Sequence, residues 1–227
     1  MNYVVLASAG SAGKPFATVV DELDAVLVTM PDVADVREMA ASVRETIAAV
    51  ARPRVLVGAS LGAMVALECA RLGEADGLVL IAAGFGIRVA DDVLDWVASN
   101  PPDLLAKNAR IGLADPADDE LAAIREDDFA ARGQPVLMHH LQALAAYRPE
   151  PLPAPPPTVV LWGESDRGVP LADHTELAQR CRGVLVPIAG AGHAPFLEQP
   201  AETVRWTRWL GGHVAAGTFP EVISSQL

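Results

Sequence analysis

Short apolar runs alternate along the chain with segments in which apolar residues recur at helical spacing. The runs are apolar almost throughout and lack the alternation of polar and apolar residues that is typical of a half-exposed strand. The predicted strands are Tyr3–Ala7, Ala25–Met30, Arg54–Gly58, Gly77–Ala82, Thr158–Trp162 and Gly183–Ile188. Because both faces of such strands must be covered, we expect an α/β fold with a doubly wound, mainly parallel six-stranded sheet. Ligands of such a sheet bind beyond the carboxyl ends of its strands.

Helical patterns fill the connections between the predicted strands. The predicted crossover helices are Phe16–Leu23, Val36–Val50, Leu61–Leu72, Leu171–Arg180 and Pro200–Leu210. The connection from Gly84 to Pro157 is far longer than a crossover requires. It has helical patterns at Asp91–Ser99, Asp118–Arg132 and Pro135–Tyr147, and it ends in a proline-rich stretch at 149–157. We therefore predict a core of residues 1–86 and 154–213, a helical cap at 87–153 and a C-terminal tail at 214–227.

Composition excludes several classes of function. Asp and Glu number 29 against 17 Lys and Arg, and a net charge of −12 repels nucleic-acid phosphates and anionic lipid. No apolar stretch approaches the roughly 20 residues that span a membrane, and the N-terminus has no signal-peptide pattern. Cys69 and Cys181 match no metal or redox spacing, so we expect packed thiols in a cytoplasmic protein.

The segment Gly58-Ala59-Ser60-Leu61-Gly62 joins the third predicted strand to a helical pattern. A serine between two glycines on a tight strand-to-helix turn is held exposed for nucleophilic attack, since larger neighbours would collide with the strand or helix. A helix N-cap serine is the simpler alternative. The position of the motif at a strand–turn–helix junction favours a nucleophile, and Ser60 then needs a base within hydrogen-bond reach.

His193 is the candidate base, because it lies on a glycine-flanked loop after the last predicted strand, at the same sheet edge as Ser60. Asp166 follows the fifth strand and is the candidate acceptor for the imidazole, with Glu164 as a nearby competitor. His139 and His140 are adjacent on a helix, so they point in different directions and cannot form a metal pair. His174 and His213 are expected at the surface.

Ser60, Asp166 and His193 occur in the Ser…Asp…His order of the α/β-hydrolase family, which residues 3–210 resemble. The segments Trp162-Gly163-Glu164-Ser165-Asp166 and Gly190-Ala191-Gly192-His193-Ala194-Pro195-Phe196 are similar to the acid and histidine segments of its small capped members. These members include carboxylesterases, enol-lactonases, carbon–carbon bond hydrolases and cofactor-free haloperoxidases. The resemblance implies a catalytic triad, no metal and no cofactor. The sequence leaves no room for the family's N-terminal antiparallel hairpin, so we expect a shortened sheet.

A second departure from the family concerns the oxyanion loop. Many relatives carry His-Gly after the first parallel strand, whereas this chain has Ser8-Ala9-Gly10-Ser11-Ala12-Gly13. We expect the backbone N–H of Leu61, together with that of Gly10 or Ser11, to bind the oxyanion. Serine at position 60 argues against epoxide hydrolase and dehalogenase chemistry, because relatives with those activities use aspartate there.

The expected function is hydrolysis of a small to medium, largely apolar ester through an acyl-enzyme on Ser60. The residues expected to contact the substrate are Phe85, Trp96, Met138, His139 and Phe196. Alternatives with the same triad are a carbon–carbon bond hydrolase, a lactonase and a biosynthetic acyltransferase or cyclase. A ligand-binding protein without catalysis is the alternative from another class. A homodimer through the cap or through Phe219–Leu227 is left open.

Overall fold

The structure, a computed structural model, describes residues 1–220. Its strands are β1 (Asn2–Leu6), β2 (Val26–Val28), β3 (Arg54–Ala59), β4 (Gly77–Ile81), β5 (Thr158–Gly163) and β6 (Val184–Ile188). They form one six-stranded sheet in the order β2-β1-β3-β4-β5-β6, and every neighbouring pair is parallel. The predicted doubly wound parallel sheet is confirmed. Only β2 is much shorter than expected, because it lies at the sheet edge, where Val26 is exposed.

The helices follow the predicted crossovers closely. They are α1 (Ala17–Leu23), α2 (Val36–Ala48), α3 (Leu61–Arg71), α4 (Asp91–Ser99), α5 (Leu104–Ile111), α6 (Asp119–Ala130), α7 (Gly133–Ala146), α8 (Leu171–Arg180), α9 (Pro195–Glu198) and α10 (Pro200–Ala216), with a 3-10 turn at Lys14–Phe16. The prediction missed α5, which is short and buries only Leu104 and Ala109 fully. Helix α10 continues past the predicted end at Leu210. No helix within residues 1–220 combines the length and the apolar character needed to cross a bilayer.

Two apolar layers sandwich the sheet. Alternate residues of β1 point to opposite faces, so Val4 and Leu6 join the layer under α2, α3 and α8, whereas Val5 joins the layer under α1 and α10. Helix α2 shows how local sequence defines these elements. The Asp35 carboxylate accepts hydrogen bonds from the first free N–H groups of the helix, and apolar residues at helical spacing from Val36 to Ile47 face the core.

Residues 87–153, the helical insert, connect β4 to β5 and contain α4 to α7. Val97, Leu104 and Leu137 form a small apolar cluster of its own, while Leu144 joins the main core beneath it. The domain boundaries remain a prediction. Of the C-terminal segment considered for a dimer contact, residues 221–227 lie outside the described range.

Candidate active site

Ser60 lies at the turn between β3 and α3 with φ 51° and ψ −111°, a backbone conformation that non-glycine residues rarely adopt. Its N–H donates to the carbonyl of Ile81 at the end of β4 (2.9 Å). Since Ser60 is not a conventional cap and its side chain bonds no helix N–H, the N-cap alternative does not describe it. The strained turn holds the serine at the carboxyl edge of the sheet.

The two motif glycines are required by close backbone approach. A Cβ atom on Gly58 would overlap the carbonyl group of Gly62, and a Cβ atom on Gly62 would overlap the carbonyl oxygen of Leu6. Helix α3 thus begins directly against the end of β1, which carries the predicted oxyanion loop. Any side chain at position 62 would push the Ser60 turn away from that loop.

Asp166 and His193 form the predicted pair. Asp166 Oδ2 lies 2.9 Å from His193 Nδ1, and Asp166 Oδ1 accepts the N–H groups of Gly168 (2.8 Å) and Val169 (3.1 Å). Burial by itself would raise the pKa of Asp166, but the hydrogen bond and charge of His193 and the two N–H groups lower it. The carboxylate therefore stays ionised and accepts Nδ1–H, which leaves Nε2 as the basic nitrogen. The competing Glu164 is exposed.

Ser60 and His193 are not joined by a hydrogen bond in this structure. Among the described residues, neither the Ser60 hydroxyl nor His193 Nε2 has a hydrogen-bond partner. Such contacts are often long in substrate-free enzymes and tighten when substrate binds. Of the two contacts in the predicted triad, the one between His193 and Asp166 is formed, whereas no hydrogen bond joins Ser60 to His193.

Glu198, which the sequence reasoning missed, braces the histidine loop. Its Oε2 accepts the N–H groups of Gly192 (2.8 Å) and Ala194 (3.2 Å), on either side of His193. Its Oε1 accepts the N–H of Ala114 from the helical insert (2.6 Å). The His193 N–H also donates to the insert, at the carbonyl of Gly112 (2.6 Å). The insert and the histidine loop are thus held together by a half-buried carboxylate and by backbone hydrogen bonds.

The predicted oxyanion donors need correction. The Gly10 N–H donates to His140 Nδ1 (2.9 Å), and His140 Nε2 lies 2.8 Å from the carbonyl oxygen of Pro31. Pro31 follows β2, the strand on the side of β1 opposite to β3. The Ser11 N–H donates to the Ser8 carbonyl (3.2 Å). Both predicted N–H groups are occupied.

Other N–H groups at this edge have no acceptor among the described residues, and they include those of Ser8, Ala9 and Leu61. Leu61 is the first residue of α3, so its N–H lies at the positive end of a helix. The oxyanion loop itself is held from α6, where Asp128 Oδ1 accepts the N–H groups of Ala12 (3.1 Å) and Lys14 (2.8 Å). Burial is the main cause that raises the pKa of Asp128.

His140 and His174 are buried imidazoles that hold the loops on either side of Ser60. Burial lowers the pKa of both, so each is neutral and can accept a backbone N–H. His140 accepts from Gly10 after β1, and His174 Nε2 accepts from Ala83 after β4 (3.1 Å). Since β1 and β4 flank β3, the two loops border the turn that carries Ser60. The expectation that His174 lies at the surface was wrong.

The structure separates the residues expected to contact the substrate. His139 is exposed and pairs with Asp32 (2.8 Å), so its neighbour His140 is the one that faces inward. Phe196 stacks on Phe16 in the core, with ring centroids 4.0 Å apart. These two residues do not line a site with Ser60, because one faces solvent and the other fills the core.

The other three residues expected to contact the substrate are Phe85, Trp96 and Met138, and they lie in two different places. Phe85 packs under the Arg180 guanidinium and lines a cavity of about 290 Å³ near Arg88 and Arg148. Trp96 and Met138 are half-buried against the apolar cluster of the insert. That Trp96 and Met138 contact the substrate stays a prediction. Phe85 lines a cavity whose lining includes neither Ser60 nor His193.

The comparisons with known proteins agree with this fold. The profile described as "Alpha/beta hydrolase family" matches residues 6–206, and the chain therefore belongs to the alpha/beta hydrolase family. A search of curated proteins finds no match.

Several solved structures share the architecture at low identity. A thermophilic esterase is 22% identical with a TM-score of 0.81, covering 94% of this chain and 90% of its own. The enol-lactonase from Burkholderia xenovorans is 16% identical with a TM-score of 0.80, covering 93% and 91%. An esterase from Exiguobacterium antarcticum is 15% identical with a TM-score of 0.78, covering 93% and 92%. At these identities the likeness establishes the fold.

Proposed function

We propose that this chain is a serine hydrolase that cleaves carboxylic esters through an acyl-enzyme on Ser60. The observation that carries the proposal is the 2.9 Å contact between Asp166 and His193, at the same sheet edge as a serine in a strained strand-to-helix turn. An ionised carboxylate that holds Nδ1–H makes Nε2 a base, which is what a serine hydroxyl needs to attack a carbonyl carbon.

In the proposed reaction His193 Nε2 takes the Ser60 proton while Oγ bonds to the ester carbonyl carbon. The N–H groups of Leu61 and Ala9 stabilise the oxyanion that forms. We choose Ala9 because its N–H is free and the N–H groups of Gly10 and Ser11 are occupied. Collapse of the intermediate breaks the bond to the leaving alcohol, which receives the proton from His193. Water then adds to the acyl-enzyme with the same base, releases the acid and restores Ser60.

We further propose that the helical insert is the cap of this site. Phe129 and Leu137 approach to 3.2 and 3.0 Å of the position that a Cβ atom of Gly10 would occupy, so apolar side chains of the insert cover the oxyanion loop. This cover favours a small to medium acyl group. The two cysteines are buried and form no disulfide, which supports a cytoplasmic location. We propose a small molecule as the substrate.

A lactone is a cyclic ester, so its carbonyl carbon is open to the same attack by serine. Because an enol-lactonase has a similar fold, lactones are also worth testing as substrates. Carbon–carbon bond hydrolysis and acyl transfer require the same serine but differ in the scissile bond or the acceptor. A chain-length series of p-nitrophenyl esters together with simple lactones is the panel that separates ester from lactone preference.

The test of the proposal is labelling by a fluorophosphonate, read by intact-protein mass. We expect one adduct on the wild-type protein and none on Ser60→Ala. Adduct formation on His193→Ala should be slower by at least about 10³-fold, because the serine then has no base. A wild-type protein that stays unlabelled while a control esterase reacts would favour the non-catalytic, ligand-binding alternative.

A further inference from the structure

Arg125 on α6 lies between the two loops that carry the proposed machinery. A Cβ atom at Gly112 would be 2.6 Å from its Nη1 and 3.0 Å from its Nη2, and the Gly112 carbonyl accepts the His193 N–H. Four residues along α6, the Phe129 ring lies 5.6 Å from the Arg125 guanidinium and also approaches the Gly10 position. Helix α6 therefore places this cation between the histidine loop and the oxyanion loop.

Apart from the Phe129 ring, the guanidinium has no hydrogen-bond or ion-pair partner within residues 1–220. Arg125 Nη1 is buried without a hydrogen-bond partner, and no carboxylate of the described residues forms an ion pair with the side chain. The two carboxylates whose charges act on it, Glu198 and Asp128, are already occupied by backbone N–H groups. Burial lowers the pKa of Arg125 to about 10, which still leaves it charged at neutral pH.

A buried, unpaired cation is strongly unfavourable unless an anion joins it. An apolar or uncharged polar residue at this position would avoid that cost. The free fork of N–H donors matches the two oxygens of a carboxylate, which a guanidinium binds in a bidentate manner.

A cavity of about 540 Å³ lies at the surface near this corner and is lined by Trp96, Lys107, Arg110, Ile111, Pro116 and Arg167. Two of its three cations are paired with carboxylates, Lys107 with Asp103 (2.8 Å) and Arg110 with Asp119 (2.6 Å). Arg167 has no carboxylate partner among the described residues, and it lies 3.4 Å from the carbonyl of Ala114, two residues after Gly112. Like Arg125, it is a cation that attracts an anionic ligand locally, although the net charge of the chain is −12.

We propose that Arg125 binds a carboxylate on the substrate, so that the preferred esters and lactones carry a free carboxylate away from the scissile bond. This inference rests on the proposed function and refines its substrate class. It differs from the expectation of a largely apolar substrate, which rested on the apolar side chains expected to line the cavity.

The test compares two p-nitrophenyl esters with acyl chains of six carbons, the hexanoate and the mono-ester of adipate. The wild-type protein should favour the adipate mono-ester in kcat/KM. Arg125→Met should lower kcat/KM for that ester by about 10- to 100-fold, mainly through KM, and leave the hexanoate within about threefold. Arg205→Met, which removes an exposed arginine on α10, is the control and should change neither ester.

Equal losses on both esters would show a structural role for Arg125 and overturn the proposal, as would a wild-type preference for hexanoate. A binding measurement keeps the proposal independent of catalysis. Monomethyl adipate should raise the Tm of the wild-type protein and of Ser60→Ala but not that of Arg125→Met. If Ser60 resists the fluorophosphonate while this Tm shift persists, the hydrolase proposal fails and carboxylate binding stands. The absence of any Tm shift in the wild-type protein would refute carboxylate binding.

Discussion

His140 Nδ1 accepts the backbone N–H of Gly10 at 2.9 Å, which links helix α7 of the insert to the loop after β1. The ring is completely buried, and its other nitrogen bonds the carbonyl oxygen of Pro31 (2.8 Å). One side chain thus ties the insert to the loops after β1 and β2. Because the Gly10 N–H is already bound to His140 and the Ser11 N–H to Ser8, the N–H groups that precede them are the ones left free for an oxyanion.

We expect His140→Leu to lower kcat for ester hydrolysis by about 10-fold or more with a smaller change in KM. The buried Gly10 N–H loses its acceptor, so the free energy of unfolding should also fall by about 1–3 kcal/mol. His140→Asn, which places an oxygen near the Nδ1 position, should restore most of both quantities. Steady-state kinetics and urea unfolding measure them.

The neighbouring residue provides the matched control for this prediction. His139 is exposed and only pairs with Asp32, so His139→Leu should stay within about twofold of the wild-type kcat. Full activity of His140→Leu would contradict the role given to His140. Equal activity of the Leu and Asn variants, both low, would show that packing of the ring matters more than its acceptor.

Asp166→Asn should lower kcat by about 10⁴-fold while the protein stays folded. The amide cannot stabilise an imidazolium, and its NH₂ group favours the wrong tautomer of His193. Far-UV circular dichroism and the Tm serve as the folding control. Glu164→Gln at the exposed competitor should retain activity within about twofold, and a larger loss there than at Asp166 would reverse the assignment.

Gly62→Ala should abolish soluble expression or lower the Tm severely, because the added methyl group overlaps the carbonyl oxygen of Leu6. Gly212 offers the opposite case. It lies in α10 with no heavy atom within 4 Å of a Cβ position, so Gly212→Ala should raise the free energy of unfolding by about 0.5–1 kcal/mol. A well-folded Gly62→Ala protein with normal Tm would show that the turn relaxes more easily than the structure indicates.

The two buried imidazoles make stability sensitive to mild acid. Their folded pKa values lie below the ordinary value of 6.5, so between the two values the unfolded chain binds more protons. The free energy of unfolding should therefore fall as the pH drops from about 8 to about 5. The lowered pKa of Asp166 affects stability in a more acidic pH range. Its contribution to the free energy of unfolding is lost only as the pH falls below the ordinary value of 3.8.

The double variant His140→Asn/His174→Gln tests this dependence, because neither new side chain titrates. Urea unfolding over the same pH range should give a flatter profile than that of the wild-type protein. An unchanged slope would assign the acid sensitivity to other groups.

Much of the fold followed from local patterns. Helices α4 and α8 have the predicted bounds, and the strands of the parallel sheet lie within a few residues of their apolar runs. Such elements are predictable because a buried strand or an amphipathic helix needs a particular periodicity wherever it lies. Helix α5 was missed although its apolar residues recur at helical spacing, because it has only eight residues and lies between proline-containing segments.

The adjacent histidines His139 and His140 show what a local sequence pattern cannot predict. Consecutive residues on a helix point about 100° apart, so His139 and His140 were certain to diverge, but only the packing of α7 decides which one is buried. The same holds for the oxyanion loop, where the free N–H groups depend on which donors His140 and neighbouring carbonyls occupy. Glu198 gave no signal, because its role depends on the Ala114 N–H, 84 residues away in the chain, as well as on Gly192 and Ala194 nearby.

By itself the sequence determined the order of strands and helices, the glycine-flanked Ser60 turn and the acid and histidine that follow it. These depend on periodicity and on residue types that a tight turn or a proton relay demands. Tertiary structure alone decided that the Gly10 N–H bonds His140, that Phe196 fills the core and that Arg125 has no ion-pair partner among the described residues. Such outcomes depend on which distant groups meet and which hydrogen bonds they use up, and no short stretch of chain contains that information.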